Sequence, residues 1–291
     1  MLQNDDIILH LFCEISERLG KEDHKHAQGK LYLSEILLCG ILYVLHGRSF
    51  RQFHTWLLKQ QLFPQLPERS RLQRLVNHYE YLCRKFLGSK TFYGILDSIG
   101  IEIIHPIREN RSEQSKKVSK KGVSNHRWIV GRKVVTTINQ RYEVVKVSDD
   151  TDNVSDTAFD EEHKDTAAIV LTDLGFKKKE GTPENFKICR KGTWNERMEV
   201  ETLFSLWTRI CNMKKSFHRT VQGFKAKISY LAAVTNIILR KNEELGFARL
   251  SMVYNGPRNL VHPHFSCSQQ TEVMPPPEHG FVRVQSSHDQ T

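Results

Sequence analysis

The hydrophobic period of this chain changes near residue 90, so the fold has to join a helical part to a part containing strands. From about Asp5 to Gly88 the apolar residues recur at helical spacing. Leu33, Ile36, Leu37 and Ile41 form one stripe, and Phe50, Phe53, Trp56 and Leu57 form a second behind Ser49, which suits an N-cap. Leu72, Leu75, Val76, Tyr79 and Leu82 form a third beyond Pro64 and Pro67. Residues 1–90 are therefore expected to make a compact all-helical domain. Such a domain can hold a helix-turn-helix with Arg69, Arg71 and Arg74 near phosphates, or a bundle with a solvated arginine face.

Beyond Lys90 the segments Phe92 to Leu96, Trp128 to Ile138, Tyr142 to Val147 and Ala167 to Leu171 are rich in Val, Ile and aromatic residues, as strands are. The second and third can pair as a hairpin around Asn139-Gln140. Two long helical patterns follow, Trp194 to Ile210 and Val221 to Arg240. Strands followed by helices predict an α/β or α+β unit over residues 91–242. Residues 243–291 carry Pro257, Pro263 and Pro275 to Pro277 among His, Ser and Gln, and are expected to be a weakly ordered tail.

Charge narrows the partner. The formal net charge of +10 favours an anionic one. No run of eighteen or more apolar residues is present, and the N-terminus lacks the pattern of a secretory signal. A cytoplasmic location, without membrane contact, and nucleic acid as partner are the resulting expectations. The six cysteines include no Cys-x-x-Cys pair and are expected to be reduced and mostly buried. Between Pro106 and Lys133 nine basic residues accumulate: Arg108, Arg111, Lys116, Lys117, Lys120, Lys121, Arg127, Arg132 and Lys133. They are read as a mobile loop, either lying along a phosphate backbone or simply solvated. The acidic stretch from Asp149 to Asp165 lacks the glycine and terminal glutamate of a calcium loop and is expected to be a solvated loop and helix start.

Three other carboxylates suggest chemistry. Two-metal phosphoryl transfer needs hard oxygen ligands converging from separate elements. Asp97 closes the run Gly94-Ile95-Leu96, and Asp173 follows Ala167 to Leu171, so each is expected at a strand end. Glu201 lies on a helix whose buried stripe is Val200, Leu203, Phe204 and Trp207, with Arg197 one turn before it. By itself, Arg197 with Glu201 can equally be a surface ion pair.

The segment Arg197-Met198-Glu199-Val200-Glu201-Thr202-Leu203-Phe204, with Trp194 ahead of it, resembles the signature around the last acidic residue of DDE transposases of bacterial insertion sequences. Leu171-Thr172-Asp173-Leu174-Gly175-Phe176 resembles the second-acid motif of that family, Ile95-Leu96-Asp97-Ser98 the first, and Gly131-Arg132-Lys133-Val134 its second strand. Asp97 and Asp173 stand 76 positions apart (97 to 173), and Asp173 and Glu201 28 positions apart (173 to 201). The resemblance covers roughly residues 30–240. It implies a ribonuclease-H-like mixed sheet flanked by helices, with Asp97, Asp173 and Glu201 as catalytic and metal-binding residues for Mg2+ or Mn2+. The implied reaction is strand cleavage at the element's ends followed by transfer of the 3′-hydroxyl to target DNA. The implied DNA contacts are Arg197, Trp194, Arg132, Lys133, Lys116, Lys117, Lys120 and Lys121. The implied partners are the terminal inverted repeats and target DNA, bound by a homodimer at the nucleoid.

The chain departs from the family pattern in three places. Thr208 stands where a Lys or Arg follows the glutamate, with Arg209 one step later, Trp194 replaces a tyrosine, and the proline-rich tail has no counterpart in the pattern. Two other functions remain open: a DNA-binding relative without catalysis, and another ribonuclease-H-like nuclease.

Overall fold

A computed structural model of the chain describes residues 4–109, 117–124, 127–189, 197–214, 216, 218 and 220–245. Lys116, Trp194 and nearly all of the proline-containing C-terminal segment lie outside the described residues, as does the side chain of Arg197.

The first part is helical as expected. Helix α1 spans Asn4–Leu19, α2 Leu33–His46, α3 Phe50–Gln60 and α4 Arg69–His78, and a 3-10 stretch, Tyr79–Phe86, continues α4. Helix α2 stops at Gly47, whose φ of 64° is a left-handed turn that a Cβ disfavours. Helix α3 starts with a reciprocal cap: Gln52 N–H donates to Ser49 Oγ at 3.4 Å, and Ser49 N–H donates to Gln52 Oε1 at 3.3 Å. The stripe residues Phe53 and Leu57 are buried, as are Leu72 and Val76 of α4.

Six strands follow: β1 Thr91–Ile104, β2 Lys120–Ser124, β3 Arg127–Asn139, β4 Val144–Thr151, β5 Ala167–Thr172 and β6 Phe186–Ile188. In the sheet, β1 lies between antiparallel β3 and parallel β5, and β6 runs parallel on the far side of β5. The outer edge of β3 is shared end to end, β2 pairing with residues 127–131 and β4 with residues 132–138. The architecture is thus mixed α/β with one curled, mixed sheet. The β3–β4 turn follows from Asn139, whose Oδ1 accepts from the backbone N–H of Arg141 at 2.9 Å and of Glu143 at 3.0 Å.

Two expectations are corrected. The first strand does not end at Asp97 but runs seven residues further to Ile104, because antiparallel β3 accompanies it well past the point where β5 leaves. Part of the basic loop is also strand, since Lys120 and Lys121 open β2 while Arg132 and Lys133 lie inside β3.

The pleat sorts side chains onto two faces. Ile95, Val134, Ile138 and Leu171 join the large cluster formed with the helices, whereas their neighbours Leu96, Val135 and Val170 pack with Phe159, Phe176 and Phe186 on the other face. Helix α5 (Asp160–His163) is a single turn on that second side. Helices α6 (Arg197–Arg209) and α7 (Val221–Glu244) belong to the first.

Helix α7 is buried almost all round and touches both parts of the molecule. The Tyr230 ring lies directly against Gly40 of α2, where a Cβ would collide with it, and Tyr230 Oη donates to the Val76 carbonyl at 3.0 Å. Further along, Asn236 Oδ1 accepts from Val144 N–H at 2.7 Å, and its Nδ2 donates to the carbonyls of Phe86 and Val144, each at 2.9 Å. One hydrophobic cluster therefore runs from α1 through α7 to the sheet, without a gap at residue 90. Among the described residues no single helix is long and apolar enough to cross a membrane. The bent pair α2 and α3 passes that test by length and composition only, and many of its residues are in this core.

Candidate active site

Strand register places the two aspartates side by side. The parallel pairing of β1 with β5 ends at Ile95 opposite Leu171, and Asp97 and Asp173 each lie two residues further along. Two residues is one pleat repeat, so both side chains share the face on which Ile95 and Leu171 meet the helices. Asp97 is 7% exposed, and its Oδ1 accepts from Ser98 N–H at 2.8 Å. Asp173 caps the 3-10 turn Leu174–Phe176 by accepting from Gly175 N–H at 2.8 Å.

Helix α6 brings in the third acid. Val200, Leu203, Phe204 and Trp207 are buried as expected, and Trp207 Nε1 donates to Thr235 Oγ1 of α7 at 2.9 Å. Holding that stripe down leaves Glu201 exposed at the edge of α6. Asp97, Asp173 and Glu201 all line one cleft of about 800 Å3. Ser98, Gly100, Ser124, Arg127, Lys133, Asp156, Phe204, Thr208 and Lys214 are among its other walls.

The donors suit a hard divalent cation, since all are carboxylates. Their spacing is less favourable. Among the described residues no three His, Cys, Asp or Glu side chains are gathered closely enough to hold a metal ion. The register explains why the two aspartates share a wall, while Glu201 comes from a different layer.

The cleft also holds residues that sequence reasoning had not assigned to it, the charged Asp156 and Lys214 among them. Asp156 sits close to Asp173, because a Cβ on Gly175 would lie 2.7 Å from Asp156 Oδ2 and 3.0 Å from Asp173 Oδ1. Nothing in the local sequence distinguishes Asp156 from its acidic neighbours. Lys214, beyond the end of α6, brings a cation to the cleft, where Thr208 offers only a hydroxyl that donates back to the Phe204 carbonyl at 3.0 Å. Arg209 is not among the lining residues.

The basic residues expected to contact DNA separate into two groups by burial and by the partners they have inside the protein. Arg132 is 5% exposed. Its Nη2 lies 2.6 Å from Asp149 Oδ2, its Nη1 donates to the Val118 carbonyl at 2.9 Å, and its guanidinium stands 5.6 Å from the centre of the Phe224 ring. Burial raises the Asp149 carboxyl above its ordinary range, while the adjacent Arg132 charge pulls it the other way. Lys133 lines the cleft, but its Nζ is 2.8 Å from Asp156 Oδ1 and donates to the Val154 carbonyl at 2.8 Å. Both cations are therefore committed to partners inside the protein. Lys117, Lys120 and Lys121, by contrast, are exposed.

The acidic stretch is likewise not simply solvated. Asp149 takes Arg132, Asp156 takes Lys133, and the fully buried Asp160 takes Lys178 at 2.9 Å. Asp152 is 3% exposed with no hydrogen-bond partner among the described residues on either carboxylate oxygen, and burial raises its carboxyl above the ordinary range. Of the five cysteines among the described residues, Cys39, Cys83, Cys189 and Cys211 are buried and Cys13 is exposed.

Comparison with known proteins finds no matching family model, no matching curated protein and no matching solved structure, so the cleft has to be interpreted from its own residues.

Proposed function

We propose that this chain is a DDE-type DNA transposase with a ribonuclease-H-like core, cutting DNA at the ends of an insertion sequence and joining the freed 3′-hydroxyl to target DNA. The observation that carries the reading is that Asp97, Asp173 and Glu201, far apart in sequence, line one cleft. The sheet supports it: a central strand flanked by one antiparallel and one parallel neighbour, with an acid on the first strand, an acid after the parallel strand and an acid on a helix packed over that face. Asp97, Asp173 and Glu201 would hold Mg2+ or Mn2+, which on binding supplies an activated oxygen nucleophile and charge stabilisation of the leaving oxygen.

The remaining roles fall to the chain itself. Arg127 and Lys214 on the cleft wall can meet phosphate oxygens on either side of the bond to be cut. Lys133 and Asp156 neutralise each other beside Asp173 and fix that wall. Bringing two DNA ends together calls for a homodimer.

The test is cleavage and strand joining of end-containing DNA in magnesium. Asp173→Asn is expected to reduce cleavage by orders of magnitude while DNA binding and the folded far-ultraviolet spectrum persist. A fully active Asp173→Asn protein removes that residue from the site.

A second reading, a DNA-binding relative without catalysis, is favoured by the absence of any gathered trio of metal donors among the described residues. Calorimetric titration with manganese separates the two. Binding lost in Asp97→Asn supports the enzyme, and no binding at millimolar metal supports the relative.

A further inference from the structure

Strands β2 and β3 form a hairpin beside the cleft, and its exposed tryptophan and lysines have no part in the cleavage site. Trp128, near the start of β3, is 63% exposed, and Val123, directly opposite it on β2, is 54% exposed. Large apolar side chains left this open on neighbouring strands are usually covered by something. Of the other tryptophans among the described residues, Trp56 is 7% exposed and Trp207 fully buried. The Lys121 ammonium stands 5.1 Å from the centre of the Trp128 ring, and Lys120 and Arg127 are exposed on the same hairpin. Val123, Ser124 and Arg127 also line the acid-bearing cleft, so the hairpin and the cleft share one wall.

An exposed indole with one cation beside its ring and two more exposed on the same hairpin, on a chain of net charge +10, matches a polymer that offers flat rings and phosphates at short, regular intervals. In duplex DNA the ring faces are stacked on each other, and away from the duplex ends only an unpaired nucleotide can present one to Trp128. We propose that the β2–β3 hairpin is a stacking platform for an unpaired nucleotide of a DNA strand entering the cleft, with Trp128 as the ring and Lys120, Lys121 and Arg127 as the flanking phosphate contacts. The proposal rests on the reading of the cleft as a DNA-cutting site, and it adds the strandedness of the DNA that the cleft receives.

The experiment measures binding in EDTA, where no cleavage is required, by the anisotropy of a short fluorescein-labelled oligothymidylate and of a duplex of equal length. Trp128→Ala is expected to weaken oligothymidylate binding about tenfold and duplex binding less than about twofold, because stacking of one base contributes on that scale. Trp128→Phe keeps a ring and is expected to recover most of the loss, and circular dichroism checks that both variants fold. Equal losses on single strand and duplex, or none on either, would overturn the proposal, as would tighter binding to oligouridylate than to oligothymidylate. A protein that shows the Trp128 effect and never cuts DNA refutes only the cleavage chemistry. One that cuts and ignores Trp128→Ala refutes only the platform.

Discussion

The start and the middle of β3 use arginine for opposite purposes. At its start, Arg127 and Trp128 face solvent on a hairpin, and five residues on, Arg132 and Lys133 are held by Asp149 and Asp156. Gly131 marks the change: β1 passes so close there that a Cβ would run into the Ile101 carbonyl oxygen, and the pairing register shifts between Glu102 and Ile104. On the outer edge the partner strand changes from β2 to β4 at the same point. A cation before this crossing is free to meet a partner molecule, whereas one beyond it is part of the fold.

The sharpest way to break this contrast is Arg132→Ala. It leaves Asp149 buried without its counter-charge, and a loss of about 3–5 kcal/mol in urea-unfolding stability is expected. A loss below about 1 kcal/mol would mean that Arg132 is not structural.

A smaller effect should come from His163, which ties β3 to β4 from the second face. Its Nδ1 is 2.7 Å from Thr137 Oγ1 and its Nε2 is 3.1 Å from Ser148 Oγ. Burial, and secondarily the charge of Lys146, hold its pKa down to about 3 against an ordinary 6.5. Since the unfolded chain takes up this proton near 6.5 and the folded one does not, the contribution is fully present above pH 6.5. It is lost as pH falls toward 3, at about 1.4 kcal/mol per pH unit. His218 shifts the same way, and the buried carboxyls of Asp149, Asp152 and Asp160 shift upward. The difference between wild type and His163→Gln isolates the single proton. Parallel stability curves for the two proteins between pH 6 and pH 4 would contradict the assignment.

The least costly substitution should be Arg127→Ala, with stability within about 0.5 kcal/mol of wild type. Its DNA affinity should instead become less steeply salt-dependent, by about one unit in the slope of log affinity against log salt. An unchanged slope would place Arg127 away from phosphate.

These outcomes bear on what a sequence can reveal. Local signals were legible: Ser49 as a cap, the stripe Val200, Leu203, Phe204 and Trp207, and the hairpin around Asn139 all follow from residues a few positions apart. The three cleft acids were legible only as motifs; strand register then put the two aspartates on one wall, and helix packing brought Glu201 to the same cleft. Strand β2 was hidden, because Lys120-Lys121-Gly122-Val123-Ser124 lacks the β-branched content of a strand and pairs as an edge. The fate of Arg132 was hidden too. Its partner Asp149 comes from the acidic stretch on β4, and only the β3–β4 pairing brings the two together. Short-range chemistry can be read directly, whereas which charge faces which depends on the finished sheet.

Asn236 has a consequence for how the molecule comes apart. Its one amide satisfies backbone groups of Phe86, at the end of the helical part, and of Val144, at the start of β4. Pulling the helices off the sheet would strand those groups at once, together with the apolar surface of α7, so neither half has a cheap route to opening alone. Heating should therefore melt both halves in one cooperative transition, and the Val144 amide should exchange its hydrogen only on complete unfolding.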